Sequence, residues 1–225
     1  MKIAWEHPDL VALFKPSGLP VFAPHADKDG DCLAARWRVH APEQAQQDWP
    51  DGFALGIAHR LDVPTSGLVL AARTPRALQD LRALFSGGSL EKRYRFVTAR
   101  NPSWESHEVS TPIAHDKRRK SRMIVQRGQS TPHRGRWYPA HTRFQRLGPV
   151  DGGWLWQAII TTGVMHQIRV HAASVGIPLL GDRRYGGGAP PAGQSVDFLL
   201  HHTGLSGPGL RSPDVPTPDF WPSPR

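Results

Sequence analysis

Cysteine is nearly absent: Cys32 stands alone among 225 residues. A single thiol excludes an intrachain disulfide framework and any multi-cysteine zinc site, and it suits a reducing cytoplasmic compartment. No run of about 18 apolar residues occurs, and the start Met1-Lys2-Ile3-Ala4-Trp5-Glu6-His7 lacks the apolar core of an export signal. No membrane partner is expected. The 12 histidines never form His-Glu-x-x-His or pair with cysteines at finger spacing, so no metal is expected. Gly186-Gly187-Gly188 lacks the following Gly-Lys-Ser/Thr of a phosphate loop, and Gly-x-Ser-x-Gly is missing, which disfavours a serine nucleophile. No heptad pattern or internal repeat is present, and a monomer is expected.

Acidic residues are the scarcer charge. Lys and Arg total 28 against 19 Asp and Glu, a formal charge of +9 and a pI near 10.4. Such a balance points to a polyanion, with nucleic acid ahead of anionic lipid or simple solubility. At this length one large domain covering residues 1–225 is the default.

Val11-Ala12-Leu13-Phe14 reads as a buried strand running into the Lys15-Pro16-Ser17-Gly18-Leu19-Pro20 loop. Asp31 is placed to cap a short helix through Trp37, and Ala41 to Gly52 reads as loop. Gly67 to Ala72 is apolar on both faces, the pattern of a central strand. Thr74 and Pro75 open a helix whose stripe is Leu78, Leu81, Leu84 and Phe85, and Gly87-Gly88 closes it. Leu90 to Ala99 reads as a strand carrying Lys92, Tyr94 and Phe96 on one face. Strand character continues over 140–147 and 154–161, and Met165 to Val175 is helical up to Gly176. A loop covers Gly186 to Gly193, Asp197 to Leu200 forms a short strand, and the proline-dense tail 206–225 runs extended, anchored by Phe220 and Trp221. Strands outnumber helices.

Three clusters carry chemistry. In His59-Arg60-Leu61-Asp62-Val63-Pro64-Thr65-Ser66-Gly67, a carboxylate sits between an arginine, a turn and a buried strand. Partly stripped of water, it needs a cation and donors, or a proton. Asp62 is either a nucleophile or a cap of its own turn. Between His115 and Arg127, the cations Lys117, Arg118, Arg119, Lys120, Arg122 and Arg127 surround Met123-Ile124-Val125, as in a basic hairpin arm or a solvated loop. Finally, Gly163-Val164-Met165-His166-Gln167-Ile168-Arg169 leads from a strand into a helix start, a setting for anion contact. His166 and Arg169 share a helix face there, so Arg169 can reach a carboxylate while His166 or Gln167 touches RNA backbone; an ordinary ion pair is the alternative for Arg169.

Together, Phe14-Lys15-Pro16-Ser17-Gly18-Leu19-Pro20-Val21, His59-Arg60-Leu61-Asp62 with Thr65-Ser66-Gly67-Leu68, Lys92-Arg93-Tyr94, and Gly163 with His166-Gln167-Ile168-Arg169, followed by Gly181-Asp182 and Tyr185-Gly186, resemble the RluA family of pseudouridine synthases. The resemblance implies an α+β fold, a mixed and mostly antiparallel sheet flanked by helices and loops around a central active-site cleft. It also implies isomerisation of a uridine in ribosomal or transfer RNA, with no cofactor. On this resemblance Asp62 is the nucleophile, Tyr94 stacks on the target base, Arg169 pairs with the catalytic carboxylate and Arg60 fills the gap left by the flipped nucleotide. Lys15, His166, Gln167 and the arm residues Lys117, Arg118, Arg119, Lys120 and Arg122 are expected RNA contacts.

Val164-Met165 stands where the family usually has Arg-Thr, so a cation is missing. The chain begins almost directly at these motifs, so no upstream S4-type domain is expected and the 115–127 arm is the main grip on RNA. Attack at C6, attack at C1′ and a glycal route all fit these residues. A non-catalytic RNA-binding or assembly module and an RNA glycosidase are the rival readings.

Overall fold

The computed structural model describes residues 1–23, 30–189 and 196–223. Positions 190–193 of the expected glycine-rich loop and the last two residues of the tail lie outside the described residues. In chain order the elements are β1 (Ile3–Glu6), β2 (Leu10–Lys15), α1 (Leu33–His40), β3 (Ser66–Ala72), α2 (Pro75–Ser86), β4 (Glu91–Thr98), β5 (Ser106–Val109) and β6 (Ile113–Asp116). There follow β7 (Met123–Val125), β8 (His133–Tyr138), β9 (Thr142–Val150), β10 (Gly153–Ile160), α3 (Gln167–Ser174), β11 (Leu200–Gly207) and β12 (Leu210–Arg211). This is the α+β class expected, with mostly antiparallel pairing. The chain gathers into two compact units, Met1–Leu90 with His201–Thr217 and Glu91–Leu200 with Pro218–Arg225.

In the first unit every residue of β3 is buried, because strands cover both its edges and apolar side chains both its faces. β2 pairs with it antiparallel, Leu13 opposite Val69, and β11 pairs parallel, His201 opposite Ser66 and His202 opposite Gly67. Only glycine fits at 67, where φ is 119° and a Cβ would stand 2.6 Å from His202 N. α2 begins as the sequence dictates: Thr74 Oγ1 accepts from Ala77 N at 3.2 Å and Pro75 takes the first turn. Its Leu78 and Leu81 are buried against Leu68, Leu70, Leu90 and Leu205, each leucine contributing roughly 1.5–3 kcal/mol.

Two local expectations change. Cys32, not Asp31, caps α1, its Sγ accepting from Ala35 N at 3.3 Å. Asp31 instead pairs with Arg36 Nε at 2.8 Å. The segment expected as loop from Ala41 contains a 3₁₀ turn over Pro42–Gln46 that buries Gln44. A proline at its start pre-sets the backbone for that turn.

In the second unit the sheet runs β4, β10, β9, β5, all antiparallel. The alternation of β4 buries Lys92, Tyr94 and Phe96 together, and Phe96 packs on Phe144 and Trp156. A separate three-stranded sheet has the order β7, β6, β8. Its β6–β7 pairing, Ile113 opposite Val125 and His115 opposite Met123, is the hairpin expected over 115–127. Met123 and Val125 pack with Val170 of α3 and Tyr185. The strand expected from Asp197 begins only at Leu200, because Phe198 turns instead to lie 4.4 Å from the Arg169 guanidinium carbon.

The tail is held differently from expectation. Val215 N donates to Thr203 O at 2.6 Å, and Val215 and Trp221 are buried, whereas Phe220 is 48% exposed.

Candidate active site

Two of the sequence motifs meet in the first unit. The chain turns at Asp62, whose carbonyl accepts from Thr65 N at 3.0 Å. The Lys15 ammonium donates to the carbonyls of Pro16, Leu19 and Val63 at 3.0, 2.7 and 3.0 Å. Gly18 N also reaches Val63 O, at 2.9 Å, and Ser17 Oγ reaches Pro64 O at 2.6 Å. The loop after β2 is thus laced to the turn that carries Asp62, which is half-buried, while Arg60 is exposed.

Lys15 corrects an expectation. Expected as an RNA contact, it is fully buried, and three carbonyls occupy its three N–H donors. The strand end it occupies is covered rather than solvated. Burial lowers its pKa from 10.5 to about 8, with the charge of Asp62 acting in the opposite direction.

In the second unit Tyr94 is buried on the face of β4 that also buries Lys92. Burial brings Lys92 down to about 8. Gly163 lies beside it, where an added Cβ would stand in ordinary contact, 3.4 Å from the Lys92 ammonium.

Arg169 projects from α3 into a buried ion pair, Nε and a terminal nitrogen donating to the two Asp182 oxygens at 2.7 and 3.0 Å. Asp182 engages two of the five N–H donors and so fixes how the guanidinium is presented. Tyr185 and Phe198 flank it at 5.0 and 4.4 Å. Burial pushes the Tyr185 phenol up to about 12, so the hydroxyl keeps its proton. It accepts from Met123 N at 2.9 Å and lies within hydrogen-bond distance of His166 Nδ1, at 2.9 Å. His166 itself stands before α3 in the left-handed region, φ 56°, so it does not share the helix face of Arg169. Both side chains nonetheless converge on Tyr185.

Gln167, also expected as an RNA contact, is instead buried. Its amide donates to His141 O at 2.8 Å and Thr142 Oγ1 at 3.1 Å, and its oxygen accepts from Thr162 Oγ1 and Val164 N at 2.8 and 3.2 Å. With both its oxygen and its nitrogen engaged, it locks the entry of α3. The chain of bonds continues from Thr142 Oγ1 to His171 Nδ1 at 2.8 Å and from His171 Nε2 to Thr111 O at 2.9 Å.

Lys117, Arg118, Arg119 and Lys120 are exposed at the hairpin tip, with Arg122 partly covered. Asp116 Oδ1 shapes the tip by accepting from Arg118 N at 2.8 Å and Arg119 N at 3.2 Å. Those bonds, led by that from Arg118 N, hold its carboxyl below the usual range. Val164, where the resemblance leads one to expect arginine, packs on the Ile113, Met123 and Val170 cluster, and Met165 is 38% exposed.

Asp182, Tyr185 and Phe198 escaped role assignment from sequence. A lone carboxylate after the apolar Leu179-Leu180-Gly181 was the available signal for Asp182. Among the described residues no group of three or more His, Cys, Asp or Glu side chains is arranged to hold a metal, and no helix is long and apolar enough to cross a membrane.

The fold is that of pseudouridylate synthases. The human RNA pseudouridylate synthase domain containing 1 superposes with a TM-score of 0.72 at 22% identity, covering 96% of this chain and 82% of that one. The human domain containing 4 gives a TM-score of 0.72 at 23% identity, covering 97% of this chain and 89% of that one. Residues 9–174 match the family described as RNA pseudouridylate synthase, and the chain belongs to that family.

Ribosomal large subunit pseudouridine synthase D of Zymomonas mobilis is 32% identical over 83% of this chain and 56% of its own length. Its namesake in Nitrosomonas europaea is 32% identical over 84% of this chain and 51% of its own length. RNA pseudouridine synthase 2, chloroplastic, of rice is 36% identical over 59% of this chain and 29% of its own. The chain spans about half the length of the two bacterial relatives.

Proposed function

We propose that this chain isomerises uridine to pseudouridine in ribosomal or transfer RNA. The N1–C1′ bond breaks, the uracil turns, a C5–C1′ bond forms and the C5 proton is released as N1 gains one. The change is redox-neutral and loses no group, so its chemistry calls for no cofactor. Needed instead are an oxyanion near the sugar–base junction, a pocket that retains the uracil and a base for the C5 proton.

The observation that carries the reading is the half-buried Asp62 on a turn laced by Lys15 to the loop after β2. A carboxylate on so fixed a backbone suits a nucleophile, which must meet its target without reorganisation. Asp62 is assigned that role, Tyr94 the stacking face and proton handling, and Arg169, oriented by Asp182, the partner of the catalytic carboxylate. Exposed Arg60 takes the space of the flipped nucleotide, and the basic tip with His166 contacts RNA. Unstacking a base costs a few kcal/mol, which phosphate contacts offset. On this reading residues 1–225 serve as one catalytic domain, acting as a cytoplasmic monomer; the single cysteine supports the compartment.

Nucleoside analysis of ribosomal RNA after incubation separates the readings. Pseudouridine is expected, unchanged uridine supports a binding module, and an abasic site with free uracil supports a glycosidase. Asp62→Asn is expected to keep RNA binding and abolish C5-tritium release; turnover equal to wild type overturns its assignment.

A further inference from the structure

A groove of about 650 Å³ opens in the second unit between the β6–β7 hairpin, the 127–132 loop and α3. It lies within the roughly 300–1,000 Å³ range of sites that enclose one small molecule. We propose that it holds one unstacked nucleotide of the RNA substrate, distinct from the uridine that is isomerised. This inference rests on the proposed action on RNA.

The lining divides by chemistry. Met123, Val170 and Tyr185 form a buried floor, a surface for the flat apolar faces of a base. Lys117, Arg118, Arg122 and Arg127 also line the groove, cations for the phosphates on either side of that base. Asp116 is the one carboxylate in the lining, and its Oδ1 is committed to Arg118 N and Arg119 N. Four cations therefore face the groove against one engaged anion, which fits a polyanion.

Arg122 selects a nucleotide among anionic occupants. Its guanidinium carbon sits 5.6 Å from the Tyr185 ring, and its Nε is 4.0 Å from Asp116 Oδ2 and buried without a hydrogen-bond partner. A planar cation with unmet donor capacity beside an apolar floor stacks on a base and binds a base edge or phosphate. Ser130 adds a hydroxyl to the lining, and Thr131 Oγ1 holds the 127–131 loop by accepting from Arg127 N and Gly128 N and donating to Gly128 O. An acidic protein segment would satisfy the charge and leave that flat stacking surface unused.

The test fills the groove without altering charge. Ser174 lines it from the exposed face of α3, and its hydroxyl donates to His171 O at 2.7 Å. Ser174→Ala removes that bond alone, and Ser174→Trp removes it and occupies the space. Fragments of ribosomal RNA transcribed with 4-thiouridine serve as the probe. Relative to Ser174→Ala, Ser174→Trp is expected to weaken binding about tenfold, within the range that loss of one stacked base costs. Wild-type protein is expected to crosslink through the Met123–Pro132 segment, and the tryptophan variant to lose that crosslink. Equal affinity of the two variants, or no crosslink in that segment, overturns the assignment. Both readouts are of binding, so absence of pseudouridine in wild-type reactions would sink the proposed activity separately.

Discussion

The buried Arg169 guanidinium and the Asp182 carboxylate form a two-point ion pair, at 2.7 and 3.0 Å, between α3 and the loop that follows it. The pair fixes the arginine within its own unit before any substrate arrives. Removing one member of a buried pair leaves an uncompensated charge, at a cost of about 3–5 kcal/mol. Asp182→Ala is expected to lose that much in urea unfolding, and Arg169→Lys to lose catalysis because a point charge does not reproduce the fork. A loss under about 1 kcal/mol for Asp182→Ala would contradict the role given to the pair.

Lys15 links protonation to stability. Its folded pKa, about 8, lies below the ordinary 10.5, so between those values the unfolded chain binds more protons. The penalty of burying the charge is complete below pH 8 and is relieved as pH climbs toward 10.5. Unfolding free energy of wild type, measured against Lys15→Met, is expected to rise from pH 8 to 10.5. Lys92 titrates in the same direction in both proteins and cancels. At neutral pH the variant leaves three carbonyls without their donor, and a loss of roughly 1–3 kcal/mol or more is expected.

His171 gives an acid limb. Burial, the leading cause, holds its pKa below 6.5, and a second proton would abolish Nδ1 as acceptor for Thr142. The folded state thus resists a proton that the unfolded state accepts. Stability is intact above about pH 6.5 and declines as pH falls below it. Thermal melts from pH 7.5 to 5 are expected to show this decline in wild type and a shallower one in His171→Gln.

The hairpin tip, proposed as an RNA contact, is expected to grip in a salt-dependent way. Changing Lys117 and Arg118 to glutamine is expected to weaken RNA binding and to reduce the slope of log K against log salt by about 0.7–0.9 for each phosphate no longer neutralised. Asp116→Ala, which frees Arg118 N and Arg119 N, is expected to weaken binding while leaving every cation in place. An unchanged slope in the double variant would remove the tip from the RNA interface.

Gly67 is required where β3 meets β11. A methyl group there would collide with the His202 backbone, on a backbone at φ 119°. Gly67→Ala is expected to destabilise by at least about 2 kcal/mol in urea unfolding.

Local rules fixed much of this architecture in advance. Thr74-Pro75 starts α2, period-two alternation puts Lys92, Tyr94 and Phe96 on one face, and the 115–127 pattern forms a hairpin, because each depends on residues within a few positions of one another. The same local rules nominated Asp62, whose turn and neighbouring strand are contiguous with it. They failed where a partner comes from far along the chain. Lys15 and Gln167 looked like exposed contacts, yet beside near neighbours in sequence Lys15 meets Val63 and Gln167 meets His141 and Thr142.

By itself, then, the sequence determined β2, β3, β4, β9, β10 and the three helices in outline, the 115–127 hairpin, the basic balance and the motif set that marks the family. Tertiary structure decided which polar groups find partners inside: Arg169 with Asp182, Tyr185 with Met123 and His166, Lys15 with Val63 beside its near neighbours Pro16 and Leu19. Burial removes water from each of them, and the compensating donor or acceptor is whichever group the folded backbone brings within about 3 Å. No reading of neighbouring residues contains that distance.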